Sequence, residues 1–136
     1  MAYGTYGGAL ETTSAALVRN NGIIGINGSR YDASVRPAFN AVLIRKGQIY
    51  NRALGTSYSL LAIKRDGTLY NPPKGLTASA LIKQGVTATF NFGPVLITNG
   101  KSMTVDYEHF SLPAYKDPRT AVGMVKNGKY VLLFAD

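Results

Sequence analysis

Residues 117–136 read D-P-R-T-A-V-G-M-V-K-N-G-K-Y-V-L-L-F-A-D. Asn127-Gly128 sits between two apolar runs, Met124-Val125 and Tyr130-Val131-Leu132. An Asn-Gly pair supplies the positive φ that a tight hairpin turn requires, so two antiparallel strands joined at this pair are expected. Pro118 fixes the approach of the chain to Arg119, and the second run ends on the carboxylate of Asp136. A domain that closes its own core rarely finishes on a buried-type strand. The expectation is that this stretch belongs to the middle of a larger domain and that residues 1–136 are its N-terminal part.

The same device recurs upstream. Val42-Leu43-Ile44 faces Gln48-Ile49-Tyr50 across Lys46-Gly47. Leu61-Ala62-Ile63 faces Thr68-Leu69-Tyr70 across Asp66-Gly67, and Val95-Leu96-Ile97 faces Met103-Thr104-Val105 across Asn99-Gly100. The four hairpins are irregularly spaced, which argues for a meander in one sheet and against a solenoid repeat. Residues 86–92 place Val86, Ala88, Phe90 and Phe92 at strand period, and Gly93-Pro94 then bends the chain.

Two helices are expected. The first covers 11–20, capped by Thr12 or Thr13 and stopped at Asn21-Gly22. The second covers 76–84, with Thr77 as cap and Gly85 as stop. Ile23-Ile24-Gly25-Ile26 reads as a short buried strand, followed by a polar loop over 27–32. Residues 106–116 read as an exposed loop. The fold class is α+β, dominated by a mixed or antiparallel sheet with hairpins and two short helices.

Composition narrows the function classes. Hydrophobic residues make up 46% of the 136 and charged residues 16%, which excludes a disordered tail. No run approaches the roughly 20 apolar residues of a membrane helix. No signal peptide is visible at the N-terminus, and the compartment stays open, an extracellular or virion-associated setting in a bacterial or phage context being the expectation. Without cysteine there are no disulfides, thiolate metal sites or Cys nucleophiles. One histidine, His109, cannot by itself build a protein zinc site, and its polar neighbours Asp106 and Glu108 argue against a buried catalytic base. There is no phosphate-binding Walker loop and no dinucleotide fingerprint. No ligand set demands a cofactor, although a divalent metal would be compatible with phosphate chemistry.

Lys and Arg outnumber Asp and Glu by 15 to 7, a formal net charge of +8. That charge serves solubility or an anionic partner. The cations Lys46, Lys64, Arg65, Lys101, Lys126 and Lys129 fall at separate turns, which argues against a dedicated nucleic-acid face.

Polar residues at strand ends are the candidates for a site, because a strand holds such a residue rigidly. They are Asn27 with Gly28, Asp32, Asn91, Arg119 and Asp136. Each has a plainer reading: Asn27-Gly28 as a turn, Asp32 as a turn-forming Asx residue, Arg119 as a surface arginine.

Five segments in order resemble one family. They are I-G-I-N-G-S-R-Y-D (24–32), A-I-K-R-D-G-T-L-Y (62–70), F-G-P-V-L-I-T-N-G-K (92–101), P-R-T-A-V-G (118–123) and the strand over 131–136. Together they are similar to the phosphodiester glycosidase domains, which include the lysosomal enzyme that removes N-acetylglucosamine to uncover mannose 6-phosphate. The resemblance spans nearly the whole chain and implies hydrolysis of a sugar-1-phosphodiester, with a phosphate-linked glycan as substrate. It places Arg119 on the phosphate, Asp136 as a site carboxylate, Asn27 and Gly28 at the substrate, and Asp32 as a weaker substrate contact. Ser29, Arg30 and Tyr31 depart from the small and aromatic residues usual there. The family pattern continues beyond the aspartate matching Asp136, so the chain resembles the first half of the domain. Completion by a complementary C-terminal-half polypeptide, or self-association, is therefore expected. The contrasting reading is a non-catalytic module that binds a glycan or other polyanion, or serves a larger phage or cell-surface assembly.

Overall fold

The computed structural model describes residues 2–3, 10–28, 41–52, 59–91, 93–105, 118–126 and 128–136. Asp32, Phe92, His109 and the expected loop over 106–116 lie outside the described residues. In chain order the elements are β1 (Ala2–Tyr3), β2 (Leu10–Glu11), α1 (Thr13–Arg19), β3 (Leu43–Arg45), β4 (Gln48–Asn51), β5 (Leu60–Lys64), β6 (Leu69–Tyr70), α2 (Ala78–Lys83), β7 (Val86–Asn91), β8 (Ile97–Thr98), β9 (Lys101–Ser102), β10 (Arg119–Met124) and β11 (Tyr130–Ala135). Every described pairing is antiparallel. With two short helices this is an α+β fold rich in sheet.

All four expected hairpins form, and the described turn residues use the expected chemistry, Asn127 lying outside the described residues. Lys46 and Gly47 stand at φ 49 and 76, Asn99 and Gly100 at φ 51 and 74, and Gly67 and Gly128 at φ 86 and 73. The helices also start where the caps require. Thr12 Oγ1 accepts from the Ala15 N–H, and Thr77 Oγ1 accepts from the Ala80 N–H. At the end of α1 the Asn21 N–H reaches the Val18 carbonyl and the Gly22 N–H reaches the Leu17 carbonyl, with Asn21 at φ 51. That double closure satisfies carbonyls a helix end otherwise leaves open.

Three expectations are corrected. The hairpins do not share one sheet: β6-β5-β7 is three-stranded, while β1-β2, β3-β4, β8-β9 and β10-β11 are separate pairs. A side chain stands where a ladder would continue. Thr89 Oγ1 accepts from the Ile44 N–H at 2.8 Å and donates to the Val42 carbonyl at 2.8 Å, so the free edge of β3 is closed by a hydroxyl instead of by backbone.

The alternation along β7 is also broken. Ile63 pairs with Ala88 but Lys64 pairs with Val86, which leaves Thr87 as the extra residue of a bulge. Val86 and Thr89 are therefore the buried positions, not the even-numbered series.

Third, 23–26 is not a buried strand. Ile23 is 100% exposed and Ile24 68% exposed. The chain leaves the helix cap and turns back over α1 with its glycines innermost: a Cβ at Gly22 would lie 2.5 Å from Leu17 Cδ1, and one at Gly25 3.4 Å from the same atom. Ile23 is turned to solvent, Ile24 and Ile26 flank the cleft beside Leu17, and none of the three pairs with a strand among the described residues.

The core sits between the β3-β4 hairpin, the β5-β7 sheet and α2. Val42, Ile44, Ala62, Ala78, Leu81 and Val86 form it, with Ile49, Leu60, Tyr70, Leu76 and Ile82 packed around them. Full burial of a side chain such as Leu81 or Ile44 contributes about 1.5–3 kcal/mol. No helix of the described residues is long and apolar enough to cross a membrane.

Candidate functional site

Two constellations carry the candidate residues. The first is the cleft between α1 and 22–28. It has a volume of about 280 Å³ and is lined by Thr13, Ala16, Leu17 and Asn20 from the helix side and by Ile24, Ile26, Asn27 and Gly28 from the return segment. Asn27 is exposed, and its Oδ1 accepts from the Thr13 hydroxyl at 2.8 Å. This bond orients the amide, leaving the Asn27 NH2 to donate outward. Gly28 meets the sheet: a Cβ there would lie 3.3 Å from Phe90 Cδ1, so the bare backbone lets the loop approach β7. Thr13 was read from the sequence only as an alternative cap. With Thr12 filling that role, the hydroxyl of Thr13 is available to Asn27, a pairing that two adjacent threonines at a helix start hint at.

The second constellation is one end of the β10-β11 ribbon. Arg119 pairs with Ala135, so Arg119 and Asp136 are brought to the same end of the ladder from opposite ends of a 6-residue pairing. Both are exposed. Arg119 Nη1 donates to the Pro118 carbonyl at 3.1 Å, which folds the guanidinium back along its own strand. This end therefore carries a planar fork of N–H donors and a carboxylate, groups of the kinds that bind a phosphate and move a proton; Arg119 shares the face of Ala135, and Asp136 follows just past the last ladder pair.

The ribbon is apolar on both faces. Ala121, Val131 and Leu133 share one face; Val122, Met124, Leu132 and Phe134 share the other, by the register Thr120↔Phe134 to Gly123↔Val131. Phe134 is 68% exposed. The ribbon touches the β5-β6 turn through Tyr130, whose hydroxyl donates to the Gly67 carbonyl.

Electrostatics outside these constellations are local. The carboxyl of Glu11 is held below its usual range chiefly by the hydrogen bond from Arg19, and that of Asp66 chiefly by the Thr68 backbone N–H. Among the described residues no group of three His, Asp or Glu gathers to hold a metal ion. Asn91 ends β7, half-buried.

Comparison with curated proteins and with solved structures gives no match. The family model described as phosphodiester glycosidase matches residues 20–136, a span that contains the ribbon and the 22–28 side of the cleft but not α1. The chain therefore belongs to the phosphodiester glycosidase family.

Proposed function

We propose that this chain supplies the phosphate-binding part of an enzyme that hydrolyses a sugar-1-phosphodiester, removing N-acetylglucosamine or a similar sugar from a phosphate-linked partner. The observation that supports the reading is the Arg119↔Ala135 register, which brings positions 119 and 136 to one ribbon end. Arg119 grips the phosphate with two parallel N–H donors and takes up the charge that grows on it as it leaves. Asp136 accepts a proton from the attacking water. The water oxygen bonds to the anomeric carbon, the bond from that carbon to the phosphate oxygen breaks, and sugar and phosphomonoester separate. Asn27 donates from its amide NH2 to the substrate, Gly28 lets the loop lie close to it, and Asp32 is a further substrate contact.

In this reading residues 1–136 are the N-terminal part of the catalytic domain, and a complementary polypeptide completes it. Support comes from the ribbon, whose two apolar faces need cover on both sides, as strands inside a sheet flanked by two layers do. A native mass equal to one chain, in a sample that turns over substrate, would remove the complementary polypeptide from the reading.

The test is hydrolysis of the methyl diester of N-acetylglucosamine 1-phosphate, followed by sugar release. Arg119→Lys is expected to lower turnover by about 10- to 100-fold, because a point ammonium cannot reproduce two charge-assisted bonds. Unchanged turnover in that variant would sink the assignment of Arg119. Binding of the diester with no sugar released would favour the non-catalytic module instead.

A further inference from the structure

We propose that the hairpin turns at the start of β7, with the C-terminal end of α2, form a docking face for a polymer whose negative charges are phosphodiesters. The proposal rests on the reading above and extends it from a single diester to a chain of them.

The cations that lie far apart in sequence converge in the fold. The β3-β4 turn is tied to β7 by the Gly47 N–H, which donates to the Thr87 carbonyl at 2.8 Å. The β5-β6 turn is tied beside it by the Arg65 N–H, which donates to the Gly85 carbonyl at 2.9 Å. Thr87 and Gly85 are two positions apart, so both turns meet the chain at the start of β7. Lys83, in the last turn of α2, immediately precedes this point. Arg45, Lys46, Arg65 and Lys83 are exposed, and Lys64 is half-buried with its ammonium 4.7 Å from the centre of the Tyr70 ring. A third turn joins them: the Tyr130 hydroxyl meets the Gly67 carbonyl, which brings exposed Lys129 to the same end.

Two acids stand near these charges: Glu11, which is paired with Arg19 and also feels Arg45, and Asp66 in the β5-β6 turn. Across 41–91 the only acid is Asp66, and its carboxylate accepts from the Thr68 N–H at 2.9 Å. Among the described residues the one ion pair joins Arg19 to Glu11. Like charges gathered on three turns repel, so an anion on this face relieves that repulsion as well as adding attraction.

The geometry also selects the partner. Cations spread over three turns cannot all meet one phosphate, so the surface fits successive charges along a chain. A nucleic acid would be held more specifically by free aromatic faces or by a helix or ribbon shaped to a groove. Of the aromatics tied to this face, Tyr70 lies beneath Lys64, and Tyr130 is pinned through its hydroxyl to the Gly67 carbonyl. A flexible sugar-phosphate polymer needs neither.

The probe is a polymer of N-acetylglucosamine 1-phosphate units, titrated by calorimetry into the full chain at several salt concentrations. Lys46→Glu with Arg65→Glu is compared with Lys74→Glu with Lys101→Glu, an equal charge change placed before α2 and in β9. Circular dichroism checks that both variants fold. Wild type is expected to bind with an affinity that falls log-linearly with salt, and the first variant to bind about tenfold more weakly at low salt while the second changes far less. Equal losses in both variants, or no binding by wild type, would overturn the docking face. Tighter binding of duplex DNA of matched charge would overturn the choice of partner. Turnover of the small methyl diester, followed on the same samples, reports on the proposed hydrolysis separately: the Lys46 and Arg65 variant retains whatever wild type shows, and its absence in wild type would remove hydrolysis by this chain without a complementary polypeptide while leaving the binding result standing.

Discussion

The Thr13 hydroxyl donates to Asn27 Oδ1 at 2.8 Å across 14 positions of sequence, and so ties the first turn of α1 to the loop that follows the helix. Thr12 already caps α1, which leaves the helix start unchanged when Thr13 is altered. Thr13→Val is expected to free the Asn27 amide and weaken the loop by about 0.5–1.5 kcal/mol, whereas Thr13→Ser keeps the bond. The Asn27 side-chain amide resonances report it directly: they should shift and sharpen in the Val variant only. If Asn27 meets substrate, KM for the methyl diester rises in the same variant and is restored by Ser.

A second hydroxyl does structural duty deeper in the molecule. Thr89 is 3% exposed and serves the Ile44 N–H and the Val42 carbonyl at once. Thr89→Val keeps the volume but strands two buried backbone groups, at about 1–3 kcal/mol each. Urea unfolding should show a loss of about 2 kcal/mol or more for Val and a distinctly smaller one for Ser. A Val variant as stable as wild type would show that the β3 edge finds other partners.

Acid sensitivity follows from two carboxyls. Glu11 is lowered chiefly by Arg19, and Asp66 chiefly by the Thr68 N–H. A lowered folded pKa contributes stability that is complete above the unfolded value of about 4 and is lost as pH falls through the folded one. Wild type should therefore lose stability below about pH 4, and Glu11→Gln with Asp66→Asn should lose less over the same window. Urea midpoints at about pH 6 and about pH 2.5 make the comparison; parallel losses would rule out these two groups as the cause.

The contact between the ribbon and the sheet can be separated from backbone strain. Gly67 stands at φ 86, and a Cβ there would lie 2.9 Å from the Tyr130 hydroxyl. Gly67→Ala is expected to cost about 1–2 kcal/mol from the left-handed backbone, plus the collision. Combined with Tyr130→Phe, which removes the hydroxyl, the two changes should cost less than the sum of the single variants. Simple additivity in a double-mutant cycle would mean that the ribbon does not rest on Gly67.

The local code of this chain was legible because it depends on neighbours in sequence. Thr77, Gly85 and the turn pairs at 46–47 and 99–100 each fix a backbone conformation that no distant contact overrides. What was not legible depends on partners far along the chain. Period-two reading cannot see the extra residue at Thr87, since a bulge exists only against the strand it pairs with, and it therefore put Ala88 rather than Thr89 on the buried face. Ile23 and Ile24 have the composition of a buried strand, but no strand among the described residues receives them. Asn27, Arg119 and Asp136 were found through order and residue type; the hydroxyl that orients Asn27 and the register that joins Arg119 to the ribbon end of Asp136 are products of the fold.

Every fully buried described residue lies between positions 41 and 89, while α1 and β11 have none. The free energy of opening should be distributed in the same way. Backbone amides of Ile44, Ala62, Leu81 and Val86 would exchange with solvent only when that block unfolds, and those of α1 and the ribbon through smaller, independent openings. The candidate residues Asn27, Arg119 and Asp136 would then ride on the fast-exchanging parts, and a ligand that engages them would be read first as slowed exchange there, with the 41–89 block unchanged.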